Sequence, residues 1–325
     1  VDVRIVPYTR HLEDAWDQFV AGSKNGTFML QRSFVEYHEA RFTDASLLAF
    51  SGERLIGVLP ADVVHGETGS RLRSHGGLTY GGWVTDEKMT LPTMLVVFDA
   101  MDEHLADRGV VSVTYKMVPR VYHRLPADED EYALFRRGAI KTKHDVSSVV
   151  TIQAGIRPSS GRLDGLRRAR RASLSFTESD DWDAFFALLS QVLRERHGTV
   201  PTHTLSEMLL LRSRFPAHIK LYGAHAADSA MLAGAVVFDC GAAVHTQYLA
   251  CGDDGRRVGA LDLVISRLIA DVYADRAYLS FGISTESGGR HLNEGLVRQK
   301  EMFGGRSVTV ATYEYSLKRG QSSTP

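Results

Sequence analysis

Val258, Leu261, Ile265, Leu268 and Val272 recur at spacings of three and four, which predicts one amphipathic helix with a single apolar stripe. Shorter apolar runs separated by polar turns lie around it. Residues 46–50 and 55–63 read as one strand hairpin, residues 220–225 and 231–238 as another, and 277–283 as a strand that follows the helix. Helical patterns starting near Trp16 and Trp182 precede each hairpin. The order helix, helix, hairpin strands, long helix, strand therefore occurs twice. Each half is expected to be an α/β unit, a mixed and mostly antiparallel sheet with packed helices.

Local echoes support a duplication. Trp16-Asp17-Gln18-Phe19 returns as Trp182-Asp183-Ala184-Phe185, Arg41-Phe42 as Arg214-Phe215, and Ala106-Asp107-Arg108 as Ala274-Asp275-Arg276, in the same order. The turn-rich stretch with Gly155, Pro158, Ser159, Ser160 and Gly161 marks the join. The expected organisation is a first unit over residues 1–155, a second over 156–317, and a flexible tail over 318–325. The element order resembles the GNAT acyltransferase fold, so the chain is read as tandem GNAT-like units.

Composition narrows the partners. A net charge of −1 provides no global field for nucleic acid or an anionic membrane, so any anion site has to be local. Cys240 and Cys251 form no CxxC pair, and the 13 histidines show no metal-ligand spacing, so no metal is expected. No apolar run is long enough to span a bilayer and the first ten residues do not read as a signal peptide. A cytoplasmic protein without membrane insertion is the expectation.

Two segments carry candidate chemistry. Residues 252–260 lie between a strand and the predicted helix, where backbone N–H groups and the helix dipole favour an anion. The segment resembles the GNAT pyrophosphate loop at Arg256 and Gly259, with Leu261 in the last position of the pattern; a plain strand-to-helix turn is the alternative. Further on, Gln299-Lys300-Glu301-Met302-Phe303-Gly304-Gly305 resembles the lysine-plus-FGG ending of the Fem peptidyltransferases and of related proteins in polysaccharide and natural-product biosynthesis. That resemblance implies Lys300 at the transfer site, where a fixed cation can stabilise the oxyanion formed when an amine attacks an ester or thioester. The competing reading is a solvated surface lysine. Glu286 and Glu294 are the candidate general bases, and Arg256, Arg257, Gly259, Phe303 and Arg306 the candidate donor-binding residues.

The first unit has no anion loop before its own long helix. Its glycine-rich run from Ser74 to Trp83 resembles in position the acceptor segment of Fem enzymes, which implies acceptor binding by His75, Tyr80 and Trp83; a tight turn with packed aromatics is equally open. Arg167, Arg168, Arg170 and Arg171 form a basic run on a predicted helix, suited to RNA or phosphate, or else simply solvated. The resulting expectation is an amide-forming acyltransferase with no bound cofactor. Its donor is an aminoacyl-tRNA, and its acceptor the free amine of a peptide, a peptidyl antibiotic or a cell-wall precursor. Two alternatives remain: an acyl-CoA-dependent N-acyltransferase acting on an amino sugar or small amine, and a non-catalytic binder on the same scaffold.

Overall fold

The computed structural model describes residues 2–155 and 157–317. The predicted tail over 318–325 lies outside the described residues. The chain forms two compact units, Val1–Asp145 with Thr309–Pro325, and Val146–Val308. The division therefore falls ten residues before the turn-rich stretch, and the last strand belongs mostly to the first unit rather than the second. The reason is that one strand, β8 below, runs through the division without a break, so the glycines and prolines after it mark a turn within the second unit.

In the first unit β1 (Arg4–Pro7) leads into helices α1 (Glu13–Gly22) and α2 (Arg32–Val35). Strands β2 (Leu47–Ser51), β3 (Arg54–Leu59), β4 (Asp62–Gly66), β5 (Gly69–Arg73) and β6 (Val84–Thr85) follow. The unit continues with α3 (Leu91–Ala106), β7 (Val110–Lys116), α4 (Glu129–Arg136) and the start of β8 (Ile140–Thr151). β1, β2, β3 and β6 make one antiparallel sheet. β4 pairs with β5, and β5 runs parallel to β7. The single run expected over 55–63 is thus two strands, broken after Leu59 where the chain changes sheets. Thr90 caps α3 and Pro92 occupies its first turn, where no N–H is needed. The helix buries Met94, Val97, Phe98, Met101 and Leu105 in the unit's core.

The second unit opens with α5 (Ser160–Arg171) and β9 (Ser175–Glu178), followed by α6 (Trp182–His197) and α7 (Leu205–Arg214). Strands β10 (Ile219–His225), β11 (Met231–Asp239) and β12 (Ala243–Cys251) form a meander with β9 at its edge. Then come α8 (Asp253–Val258), α9 (Ala260–Arg267), β13 (Tyr278–Ile283), the small pair β14 (Thr285–Glu286) and β15 (His291–Leu292), α10 (Glu294–Met302), and β16 (Arg306–Ser316). The later part of β16 pairs antiparallel with β7 in the first unit. The element order matches the duplication from Trp16 on α1 and Trp182 on α6 onward, and the Ala-Asp-Arg echoes both precede a strand. Among the described residues no helix is long and apolar enough to cross a membrane.

The first unit's core is held at one end by a buried cation. Arg32 is almost fully buried, and its guanidinium bonds Glu36 at 2.9 Å, the Ser46 hydroxyl at 3.0 Å and Asp44, while covering the Tyr8 ring at 3.7 Å. Removing one partner of such a network leaves carboxylates without their counter-charge in poor solvent. Arg32→Met is therefore expected to lower unfolding stability by about 3 kcal/mol, read as a shifted denaturant midpoint; an unchanged midpoint would show the network to be worth nothing.

Candidate active site

The predicted pyrophosphate loop is not a loop. Asp253 to Val258 form α8, and the expected long helix is interrupted at Gly259, whose φ of +77° separates α8 from α9. The stripe then ends in a π-helical turn, Leu268–Val272. The cause of the break is close packing by α5. A Cβ on Gly259 would stand 2.1 Å from the Gly165 carbonyl oxygen, and a Cβ on Gly165 would stand 2.0 Å from an Asp262 carboxylate oxygen. Glycine at both positions lets α5 lie directly on the start of α9, so the end of α9 that would face an anion faces protein. Within α8, Arg257 pairs with Asp254 and Arg256 with Asp253 at 2.8 Å.

What opens the site is a parting of strands. β12 and β13 pair in parallel only from Ala243–His245 to Tyr278–Ser280. β12 then continues along β11 as far as Cys251, while β13 bulges between Ser280 and Ile283, with Gly282 at φ +71°. A cavity of about 510 Å³ lies there. Leu249 and Cys251 line it from β12, Phe281 from β13, and Val192 and Arg196 from α6. Arg256, Leu261, Asn293, Leu296, Gln299, Lys300 and Phe303 complete it. Among the described residues its wall carries three basic side chains and no carboxylate.

Lys300 is 7% exposed, so it is not a solvated surface lysine. Its Nζ donates to the carbonyl oxygens of Gly282 (2.9 Å) and Ile283 (2.8 Å) and to the Ser284 hydroxyl (2.8 Å). Burial lowers its pKa to about 8, because no carboxylate offsets the desolvation. The FGG ending shapes the C-terminus of α10. Phe303 is buried against Phe281, with ring centroids 5.8 Å apart, and the Arg162 guanidinium stacks on it at 4.1 Å. Gly304 takes the left-handed turn at φ +95°, and Gly305 passes within 2.9 Å of the Lys300 carbonyl as measured from a built Cβ. Both glycines are required for α10 to turn straight into β16.

The remaining sequence expectations divide. Arg256 and Phe303 share the cavity with Lys300. Arg306 is exposed at the start of β16 and Arg257 is exposed on α8, so neither reaches the cavity wall. Glu286 and Glu294 are exposed and absent from the wall, Glu286 accepting from Asn293 at 3.3 Å. Neither stands beside Lys300 as a base. His75, Tyr80 and Trp83 are corrected from acceptor ligands to core: they are 2%, 1% and 0% exposed. His75 stacks on His38, Tyr80 bonds Thr27 and packs on Tyr122, and the Trp83 N–H of the backbone donates to the Tyr115 hydroxyl. Their glycine neighbours serve this packing, since a side chain on Gly77 would overlap His38 and Phe42.

The arginine run does form a helix face. Arg167, Arg168, Arg170 and Arg171 are all exposed on α5; Arg167 pairs with Asp164 and Arg168 donates to the Arg257 carbonyl. Arg162, at the start of the same helix, turns inward to Asp262 at 3.1 Å. Sequence reasoning missed Val192, Arg196 and His245. His245 is buried on β12, its pKa lowered to about 4 by burial and then by Lys300. No spacing pattern identifies residues that converge only through strand parting. Ser284, between β13 and β14, is recognisable only as a partner of Lys300.

No protein-family model matches the sequence, and no curated protein does. Among solved structures, FemX superposes with a TM-score of 0.72 over 97% of both chains at 11% identity. The chain has a Fem-like tandem GNAT fold. L-PGS from Bacillus licheniformis gives 0.58 at 11% identity, over 97% of this chain and 93% of that one. A tandem GNAT protein from the clavulanic acid biosynthesis pathway gives 0.50 at 12% identity, over 98% and 100%. α5 seats against the start of α9 through the close approach of Gly165 and Gly259. Gly259→Ala is expected to cost at least about 2 kcal/mol, from the left-handed backbone and the overlap with Gly165; a denaturation midpoint equal to wild type would refute the contact.

Proposed function

We propose that the protein is an amide-forming acyltransferase, and that the cavity of its second unit receives the aminoacyl end of an aminoacyl-tRNA for transfer to the amine of a peptide or peptidyl acceptor. The observation that carries this reading is the position of α5. Its inner face covers the start of α9, where a GNAT unit would hold coenzyme A pyrophosphate, and its outer face displays Arg167, Arg168, Arg170 and Arg171. One helix thus disfavours a CoA donor and offers a phosphate-binding surface in its place. The lysine-plus-FGG segment and the likeness to FemX support the same direction.

Apolar Val192, Leu249, Phe281 and Leu296 would enclose the aminoacyl portion, while Arg196 and Arg256 sit where a terminal phosphate could be met. Both arginines contact Asp253, at 2.7 and 2.8 Å, which fixes their orientation. Cys251 is a poor nucleophile, because burial raises its pKa to about 11. Direct attack of the acceptor amine on the ester is the chemistry that remains. The reaction needs a group that accepts the amine proton and fixed dipoles near the carbonyl.

A reconstituted assay tests the donor. Transfer of a labelled amino acid from charged tRNA should be abolished by prior RNase treatment, whereas turnover that survives RNase and runs on acyl-CoA would replace this reading with the CoA-dependent one. Binding without any turnover would leave a non-catalytic scaffold. The triple variant Arg167→Ala, Arg170→Ala, Arg171→Ala should lower kcat/KM for charged tRNA on the order of tenfold and flatten its salt dependence. An unchanged salt slope would mean that α5 does not meet the RNA.

A further inference from the structure

The surroundings of Lys300 Nζ contain two oxygens that can only accept and one that can also donate. The carbonyls of Gly282 and Ile283 are acceptors, and the Ser284 hydroxyl is both donor and acceptor. An ammonium has three hydrogens and no lone pair, so it would spend all three and leave the Ser284 hydrogen without an acceptor. Ser284 is 2% exposed, and among the described residues Lys300 is the hydrogen-bond partner of its Oγ. A neutral amine has two hydrogens and one lone pair. It matches the site completely: two N–H groups to the two carbonyls, and the serine O–H to the lone pair.

We propose that the neutral form of Lys300, held by the Ser284 hydroxyl, is the proton acceptor for amide formation in this cavity. The inference rests on the acyl-transfer reading above and changes the part Lys300 plays in it, from fixed cation to base. Among the described residues the cavity wall leaves no other candidate. Its remaining titratable groups are Arg196 from α6, Arg256 from α8 and Cys251 from β12, two permanent cations and a thiol. His245, the other titratable group within electrostatic reach, is buried on β12 and absent from the wall. On α10 itself Glu294, Arg298 and Glu301 are exposed. Burial without a carboxylate, which disfavours the ammonium, acts in the same sense as the hydrogen-bond count.

The step balances without a further reactant. The acceptor nitrogen attacks the ester carbonyl carbon and forms the C–N bond, and the proton it sheds passes to the Lys300 lone pair, which leaves Ser284 to take it. As the tetrahedral intermediate collapses the ester C–O bond breaks, and the Lys300 ammonium returns that proton to the departing hydroxyl oxygen. Ser284 is a positioning residue. Its backbone is pinned by its N–H to the Val146 carbonyl at 2.8 Å and by its carbonyl to the Asn293 N–H at 3.0 Å, so its hydroxyl is aimed at Nζ before substrate arrives.

Two measurements on the full chain test the proposal. Side-chain lysine NMR, with Lys300→Arg to assign the resonance, should show Lys300 losing its proton near pH 8; an ammonium that persists beyond about pH 10 would overturn the proposal whatever the donor. Transfer to hydroxylamine, whose nitrogen is already unprotonated from about pH 7 upward, removes the acceptor's own titration. Activity should then rise through pH 8 in wild type, and Lys300→Arg, which keeps the charge but cannot accept a proton, should lose about 100-fold or more. A flat pH profile or an active Arg variant would restore the fixed-cation role. Failure of every aminoacyl-tRNA with a normal NMR titration would instead fail the donor reading and leave the neutral lysine standing.

Discussion

The parting of β12 from β13 is the constraint on which the second unit depends. Once β13 bulges at Phe281 and Gly282, the backbone carbonyls beside the bulge need donors. Lys300 supplies them. The same residue that repairs the bulge is thereby drawn off the surface, held with its Nζ at the end of the strand, and placed on the wall of the cavity the bulge creates. Fold and chemistry meet in one side chain, and the glycines at 304 and 305 exist to deliver it there.

A second constraint is the contact between Gly165 and Gly259. It turns a segment with the residues of an anion loop into two short helices, and it moves the available positive charge from the start of α9 to the outer face of α5. The two units have diverged by the same means, glycines that permit close packing. In the first unit the run around Gly77 and Gly82 closes over His75, Tyr80 and Trp83 and builds core; in the second, the glycines at 282, 304 and 305 leave a cavity open.

Much of the architecture was legible in the sequence because it follows from periodicity and repetition. The Trp-Asp-x-Phe echo and the paired hairpins identified both units, and the resemblance around Gln299 to Gly305 falls on a helix that lines the cavity. The site was legible in part. Lys300, Arg256 and Phe303, singled out by motif texture, line one cavity, but texture cannot tell a glycine that admits a ligand from one that admits a neighbouring helix. For that reason Gly259 and the Ser74–Trp83 run were assigned to ligands when they serve packing. Glu286 and Glu294 are exposed and off the cavity wall, whereas Ser284, which bonds Lys300, follows a bulge that no pattern announces. The single helix expected across residue 259 failed for the related reason that α5, distant in sequence, decides where it breaks.

The proposed function puts the donor's reactive end in the second unit, beside Lys300. It is tested most directly by a charged tRNA analogue carrying a photoreactive group on its aminoacyl portion, crosslinked to the full chain and mapped by peptide mass spectrometry. Label on the segment from Phe281 to Phe303, lost on competition with intact charged tRNA, is the expected result. Label confined to the first unit, or on the second unit but unaffected by the competitor, would contradict it.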